Sequence, residues 1–182
     1  MLGLGTSINK SSSSESAFIA GRSSSFTGLL DESYGGSASA AYSVRRLSSS
    51  YSGKALQIRR VSDNVEVDVS FDNNNEISLD SAVTNVTEET TGSSTSIITG
   101  AVNLGEFVAN ASYTDADSLG STDSAKVQCW YDQSGSSNDA TQNTAGSQPT
   151  IVSSGALETE NGKPIIRNNG SNTMALPFND QA

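Results

Sequence analysis

The stretch Trp130-Tyr131-Asp132-Gln133-Ser134-Gly135, with Asn138-Asp139-Ala140-Thr141-Gln142 just after it, holds the residue types that come nearest to chemistry in this chain. Asp132 and Asp139 are carboxylates close together in sequence, beside an indole. Glycoside hydrolysis needs two carboxylates flanking the scissile bond, one of them with a raised pKa. An indole can stack on a sugar ring. The local pattern also has a plainer use, because Asp ahead of polar and Gly positions organises turns through side-chain to backbone hydrogen bonds. Turn formation is the first reading of Asp132, and packing under the following loop is the first reading of Trp130. Trp130, Asp132 and Asp139 are the candidate contacts to a glycan or to a neighbouring subunit, and no residue is assigned as catalytic.

Other chemistries are excluded by composition. The chain has no His and a single Cys. It therefore cannot build a Ser-His-Asp triad, a His-ligated zinc, a Cys-cluster metal site or an internal disulfide framework. Asp115, Asp117 and Asp123, and the run Asp72 to Glu76, are acidic, but neither follows the spaced ligands and terminal bidentate Glu of a calcium loop. No metal and no cofactor is expected. Cys129 alternates with wetter strand positions and reads as a buried thiol.

The 182 residues suit one domain, with 34% hydrophobic and 16% charged residues. Roughly a fifth are Ser, far above ordinary usage. Net charge is −10, unevenly placed: residues up to Arg60 carry seven basic and three acidic groups, and the remainder three basic and seventeen acidic. An acidic body repels phosphates, so no nucleic-acid binding is expected. No run approaches the ~18 apolar residues of a membrane span, so no membrane insertion is expected. Met1-Leu2-Gly3-Leu4-Gly5 lacks the charged and apolar regions of a signal peptide, which implies synthesis in a cytoplasm.

These residues must be positioned by short elements. Residues 1–30 read as a leader: Ser runs interrupted by Leu2, Leu4, Ile8, Phe18, Ile19 and Phe26, which cannot repay their ordering entropy alone and suit docking on a partner. Residues 31–182 read as a β-rich body. Ala40, Val44, Leu47 and Tyr51 recur at helical spacing, which predicts a short helix over Ser39 to Leu47. Leu56 and Ile58 alternate with polar residues, as do Val65, Val67, Val69 and Phe71, and Ser62-Asp63-Asn64 between them predicts a hairpin. Asp72 to Glu76 predicts a turn, Leu104 to Ala111 one or two helical turns, and Lys126 to Asp132 a strand with Cys129 and Trp130 on opposite faces. A long polar loop from Gln133 to Ser147 precedes short strands beginning at Pro149 and Pro164. Short strands with polar turns point to an antiparallel β-sandwich with one or two short helices.

A series of segments carries a resemblance. It runs Ala41-Tyr42-Ser43-Val44-Arg45-Arg46-Leu47, Gly53-Lys54-Ala55-Leu56-Gln57-Ile58-Arg59-Arg60, Ser62-Asp63-Asn64, the Trp130 and Asn138 blocks above, Gln148-Pro149-Thr150-Ile151-Val152 and Asn161-Gly162-Lys163-Pro164. Over about residues 29 to 170 it resembles the N-terminal part of arabinofuranosidase-B-type domains, which are concanavalin A-like or laminin-G-like sandwiches. It also resembles structural proteins of tailed phages, which carry the series behind a short leader. Asn168-Asn169-Gly170 departs from the Phe-Asp-Gly-like turn usual at that point, and residues 31–182 supply fewer strands than a full laminin-G sandwich. The catalytic pair of the arabinofuranosidases lies beyond the matched segment, so none of it is carried over.

The resemblance implies a non-enzymatic virion structural protein, a tail, fibre, collar or capsid-decoration component made in the host cytoplasm. It would dock on other virion proteins through its leader and form a homo-oligomer, expected to be a trimer. The alternative is a carbohydrate-binding laminin-G-like module recognising host surface glycans.

Overall fold

The computed structural model describes residues 26–32, 35–87, 103–109 and 123–177. The fold is mainly β. Among the described residues its strands are β1 (Leu56–Arg60), β2 (Glu66–Val69), β3 (Val83–Thr87), β4 (Ala125–Trp130), β5 (Ala140–Thr141), β6 (Thr150–Ser153), β7 (Ala156–Leu157), β8 (Thr159–Glu160) and β9 (Lys163–Pro164), with one α-helix, α1 (Leu104–Ala109). β1 to β7 form one antiparallel sheet in the order β3-β2-β1-β4-β6-β7. β5 pairs with the last two residues of β4, while β6 pairs with its first two. The sheet curls into a half-barrel, compatible with one half of the expected sandwich. β8 and β9 form a separate two-stranded ribbon.

The β1–β2 hairpin follows directly from its alternation. Leu56, Ile58, Val65, Val67 and Val69 are buried, and Asn64 closes the turn with a left-handed φ of 62°. Such a conformation is tolerated best by Gly and Asn. The Asp72 turn also forms: Asp72 Oδ1 accepts from the amides of Asn74 and Glu76. Helix α1 lays Leu104, Phe107 and Val108 on the hairpin's apolar face. Asn103 caps it, its Oδ1 accepting from the Glu106 amide at 2.9 Å. Arg60, only 1% exposed, holds its other end, donating to the Phe107 carbonyl at 2.6 Å and pairing with Asp63. The Arg60 guanidinium also lies 4.7 Å from the centre of the Phe107 ring. Losing one partner of so deeply buried a charge would be costly.

Three expectations are corrected. Residues 39–47 form no helix; the segment is extended, with Arg45 bridged to Glu76 and Val44 accepting from the Ile77 amide. The loop after Gln133 is interrupted by β5 and by a 3-10 turn at Ala145–Ser147. Trp130 does not lie on the face opposite the core: Gln57 pairs with Cys129 while Ile58 pairs with Val127, which leaves Gln128 as an extra residue. A bulge of this kind resets the side-chain alternation. Trp130 therefore packs against the main core, whereas buried Cys129 lies apart from that cluster, paired across the sheet with Gln57 and Thr141. Burial, with Asp139 and Asp68 nearby, pushes the Cys129 thiol up to about 12. Ile97 and Ile98, which give a weak strand signal within a Thr- and Ser-rich stretch, lie outside the described residues.

Candidate functional site

The chain leaves β4 at Trp130 and enters a tight polar turn. The Asp132 amide donates to Asp139 Oδ1 at 2.8 Å. The Asp132 carboxylate, in a residue 5% exposed, accepts four hydrogen bonds. Oδ1 takes the amides of Ala41 (2.7 Å) and Ser134 (2.8 Å). Oδ2 takes the Ser134 hydroxyl (2.7 Å) and the Asn138 amide (3.1 Å). Burial pushes the carboxyl up, but donation from Ser134, Ala41 and Asn138 outweighs it and holds the pKa below the usual carboxylate value. That is opposite in direction to what a general acid requires.

Gln133 works beside it. Its Oε1 accepts from the Leu47 amide at 2.7 Å, and its Nε2 donates to the carbonyls of Ser43 (3.0 Å) and Arg45 (3.1 Å). The Gln133 amide donates to the Ala41 carbonyl at 2.8 Å. Asn138 adds Nδ2 to the Ser39 carbonyl, and the Tyr42 hydroxyl donates to the Asn138 carbonyl. Segment 39–47 is thus held extended by side chains from a loop some ninety positions later. These bonds satisfy backbone groups that a helix would have satisfied internally. Here the structure brings Trp130, Asp132 and Asp139 together: the indole packs 5.9 Å from the Tyr42 ring, and both carboxylates serve the turn. Trp130 Nε1 is enclosed and has no hydrogen-bond partner among the described residues.

A second carboxylate anchors the segment before it. Asp31 accepts from the Gly28 amide (2.7 Å), the Ser48 hydroxyl (2.8 Å) and the Ser49 amide (2.8 Å). The Gly28 and Ser49 amides, with help from the Ser48 hydroxyl, lower the Asp31 pKa to about 2. The Leu30 amide donates to the Leu47 carbonyl at 2.7 Å, and Gly28 lies so close that an added Cβ would sit 2.0 Å from that same oxygen. Phe26 is half-buried, with the Arg46 guanidinium 4.6 Å from its ring centre. Of the other predicted docking residues, Leu2, Leu4, Ile8, Phe18 and Ile19 lie outside the described residues. The links of Gly28, Asp31 and Gln133 to Leu47, Ser48 and Ser49 had no local signal, since those partners are distant in sequence.

The arginines do structural work. Arg59 donates to Gln148 Oε1 and Asn64 Oδ1, and Arg46 to the Ser49 carbonyl. Asp123 accepts from the Ser62 and Ser124 amides, while Asp115 and Asp117 lie outside the described residues. Among the described residues no three His, Cys, Asp or Glu side chains gather as a metal site, and no helix is long and apolar enough to cross a membrane.

A cavity of about 460 Å³ opens beside the turn, between residues 48–53 and Gln133, Ser134 and Gly135. Ser50, Tyr51, Ser52 and Gly53 form one wall. In comparisons with known proteins, the chain matches no family model, no curated protein and no solved structure.

Proposed function

We propose that this chain is a non-enzymatic structural protein of a tailed-phage virion, a tail, fibre, collar or decoration component that docks through its N-terminal segment. The observation that carries the reading is the anchoring of residues 26–32. Asp31, Gly28 and Leu30 pin this segment to Leu47, Ser48 and Ser49, and the Asp132–Gln133 turn fixes the stretch leading to Leu47 in place. Residues 26–32 therefore hold a fixed place on the body, which suits a segment that docks on a particle. The turn's side chains act as architecture, which suits a scaffold. The resemblance to phage structural proteins supplies the virion setting, its synthesis in the host cytoplasm and its virion partners. A homo-oligomer, expected as a trimer, fits a domain with a modest core.

Peptide mass spectrometry on gradient-purified particles tests it. The reading predicts the chain at a fixed ratio to the major capsid protein, and loss of incorporation when residues 1–25 are deleted, with Phe26, Gly28 and Asp31 left in place. Absence from particles would overturn it.

A second reading, a carbohydrate-binding laminin-G-like module that meets host surface glycans, is favoured by one observation: the cavity beside the Trp130–Asp139 block is lined by hydroxyls, glycines and an aromatic ring. The two readings are compatible, since attachment proteins of particles meet cell surfaces.

A further inference from the structure

We infer that this cavity is a binding site for a neutral saccharide, with Tyr51 as its platform and the Ser50–Gly53 and Ser134–Gly135 loops as its hydrogen-bonding walls. The inference rests on the glycan-binding reading, and it moves the site away from Trp130, Asp132 and Asp139. Those three face the core or the turn's own amides and do not line the cavity, whose wall takes Gln133, Ser134 and Gly135 from the same turn.

Four features argue for this ligand. The volume, about 460 Å³, falls within the roughly 300–1,000 Å³ of small-molecule sites. No charged side chain lines it among the described residues, and the chain is strongly acidic, so a phosphate or carboxylate ligand would find no counter-charge. The lining groups suit hydroxyls that donate and accept. The Ser52 hydroxyl and the amides of Gly53 and Gly135 make no hydrogen bond within the described residues, and Gly135 has a left-handed φ of 87° with open space where a Cβ would stand. Finally, the Tyr51 ring is held in advance. Its hydroxyl donates to the Lys54 carbonyl at 2.7 Å, and Phe71 meets it edge-on at 6.3 Å. Burial pushes the Tyr51 hydroxyl up to about 12, so it stays neutral across ordinary pH. A rigid aromatic wall with unpaired donors beside it can take the C–H face of a pyranose while the donors meet its hydroxyls.

The test is saturation-transfer NMR on the full chain with maltotriose, cellotriose and xylotriose as neutral probes and sialyllactose as the charged one. The expected result is transfer to at least one neutral trisaccharide, little to sialyllactose, and binding weakened roughly tenfold or more by Ser52→Trp, an exposed position at the cavity wall. Gly36→Tyr is a second obstruction, since a Cβ there meets nothing within 4 Å. It keeps the test decisive if Ser52→Trp fails to fold. A neutral saccharide bound equally by the folded obstructed variants would overturn this site and leave the glycan-binding reading standing. No binding of any probe at millimolar concentration by the wild-type chain would overturn both, and stronger binding of sialyllactose would overturn the charge argument.

Discussion

The β1–β2–β4 core and the patch joining residues 26–49 to the Asp132 turn lie side by side and are held by different physics. In the core, Leu56, Ile58, Val67, Val69, Val127 and Phe107 are fully or almost fully out of water, and stability comes from apolar burial. In the patch, two carboxylates and one carboxamide hold extended backbone through amides and carbonyls. Burial is non-directional and tolerates neighbours of similar volume. Charge-assisted hydrogen bonds depend on geometry and on ionisation. The patch should therefore be the part that single polar changes and acid can release while the core stays intact.

The largest effect should come from the core. Phe107→Ala removes a ring packed on the hairpin and on the Arg60 guanidinium. It is expected to cost about 3–5 kcal/mol and to lower the midpoint of a single cooperative denaturant transition. Two separated transitions would instead show that α1 folds apart from the sheet.

Next comes Asp132→Ala, which leaves the amides of Ala41, Ser134 and Asn138 without their acceptor. A cost of about 3 kcal/mol is expected, since buried donors lose a charged partner. Its fluorescence should change too, because Tyr42 packs on Trp130 from the released segment.

How much of this was legible in the sequence divides along the same line. The hairpin was readable because Val65, Val67 and Val69 need only their own spacing to declare a buried face. Segment 39–47 was not. Ala40, Val44 and Leu47 have helical spacing, but the Ala41 and Leu47 amides are taken by Asp132 and Gln133, and no local pattern can show a partner so far along the chain. Trp130 was misplaced for a similar reason: the bulge at Gln128 is defined by register against β1, which alternation within β4 does not contain. Asp132 as a turn organiser was legible from Asp-Gln-Ser-Gly. The cavity beside it was not, because it is made by loops distant in sequence.

A smaller effect should follow Gly28→Ala. The added Cβ would meet the Leu47 carbonyl oxygen at 2.0 Å, so residues 26–32 must lift away. Limited proteolysis should cut near residues 26–32 faster than in the wild type, with the denaturation midpoint of the body nearly unchanged. Equal cleavage rates would mean that the segment is not docked in solution.

The mildest perturbation is acid. The Asp31 pKa is lowered to about 2 in the folded chain, below its ordinary value of 3.8, and that of Asp132 is lowered as well. A depressed folded pKa means that the contribution is present above the unfolded value and is lost as pH falls through the folded one. For Asp31 the window runs from about 4 down to about 2. Carboxyl NMR should show Asp31 titrating near the bottom of that window, and the docked segment should loosen across it. An Asp31 midpoint near its ordinary value would contradict the docking geometry.

The central claim, that the Asp132 turn is a latch holding the N-terminal segment on an independently stable sheet, is tested most directly by hydrogen–deuterium exchange with Asp132→Asn against the wild type. The account predicts faster exchange in peptides covering residues 39–49 and 133–139, with β1, β2 and β4 still protected. Uniform loss of protection across the sheet, or no change at residues 39–49, would contradict it.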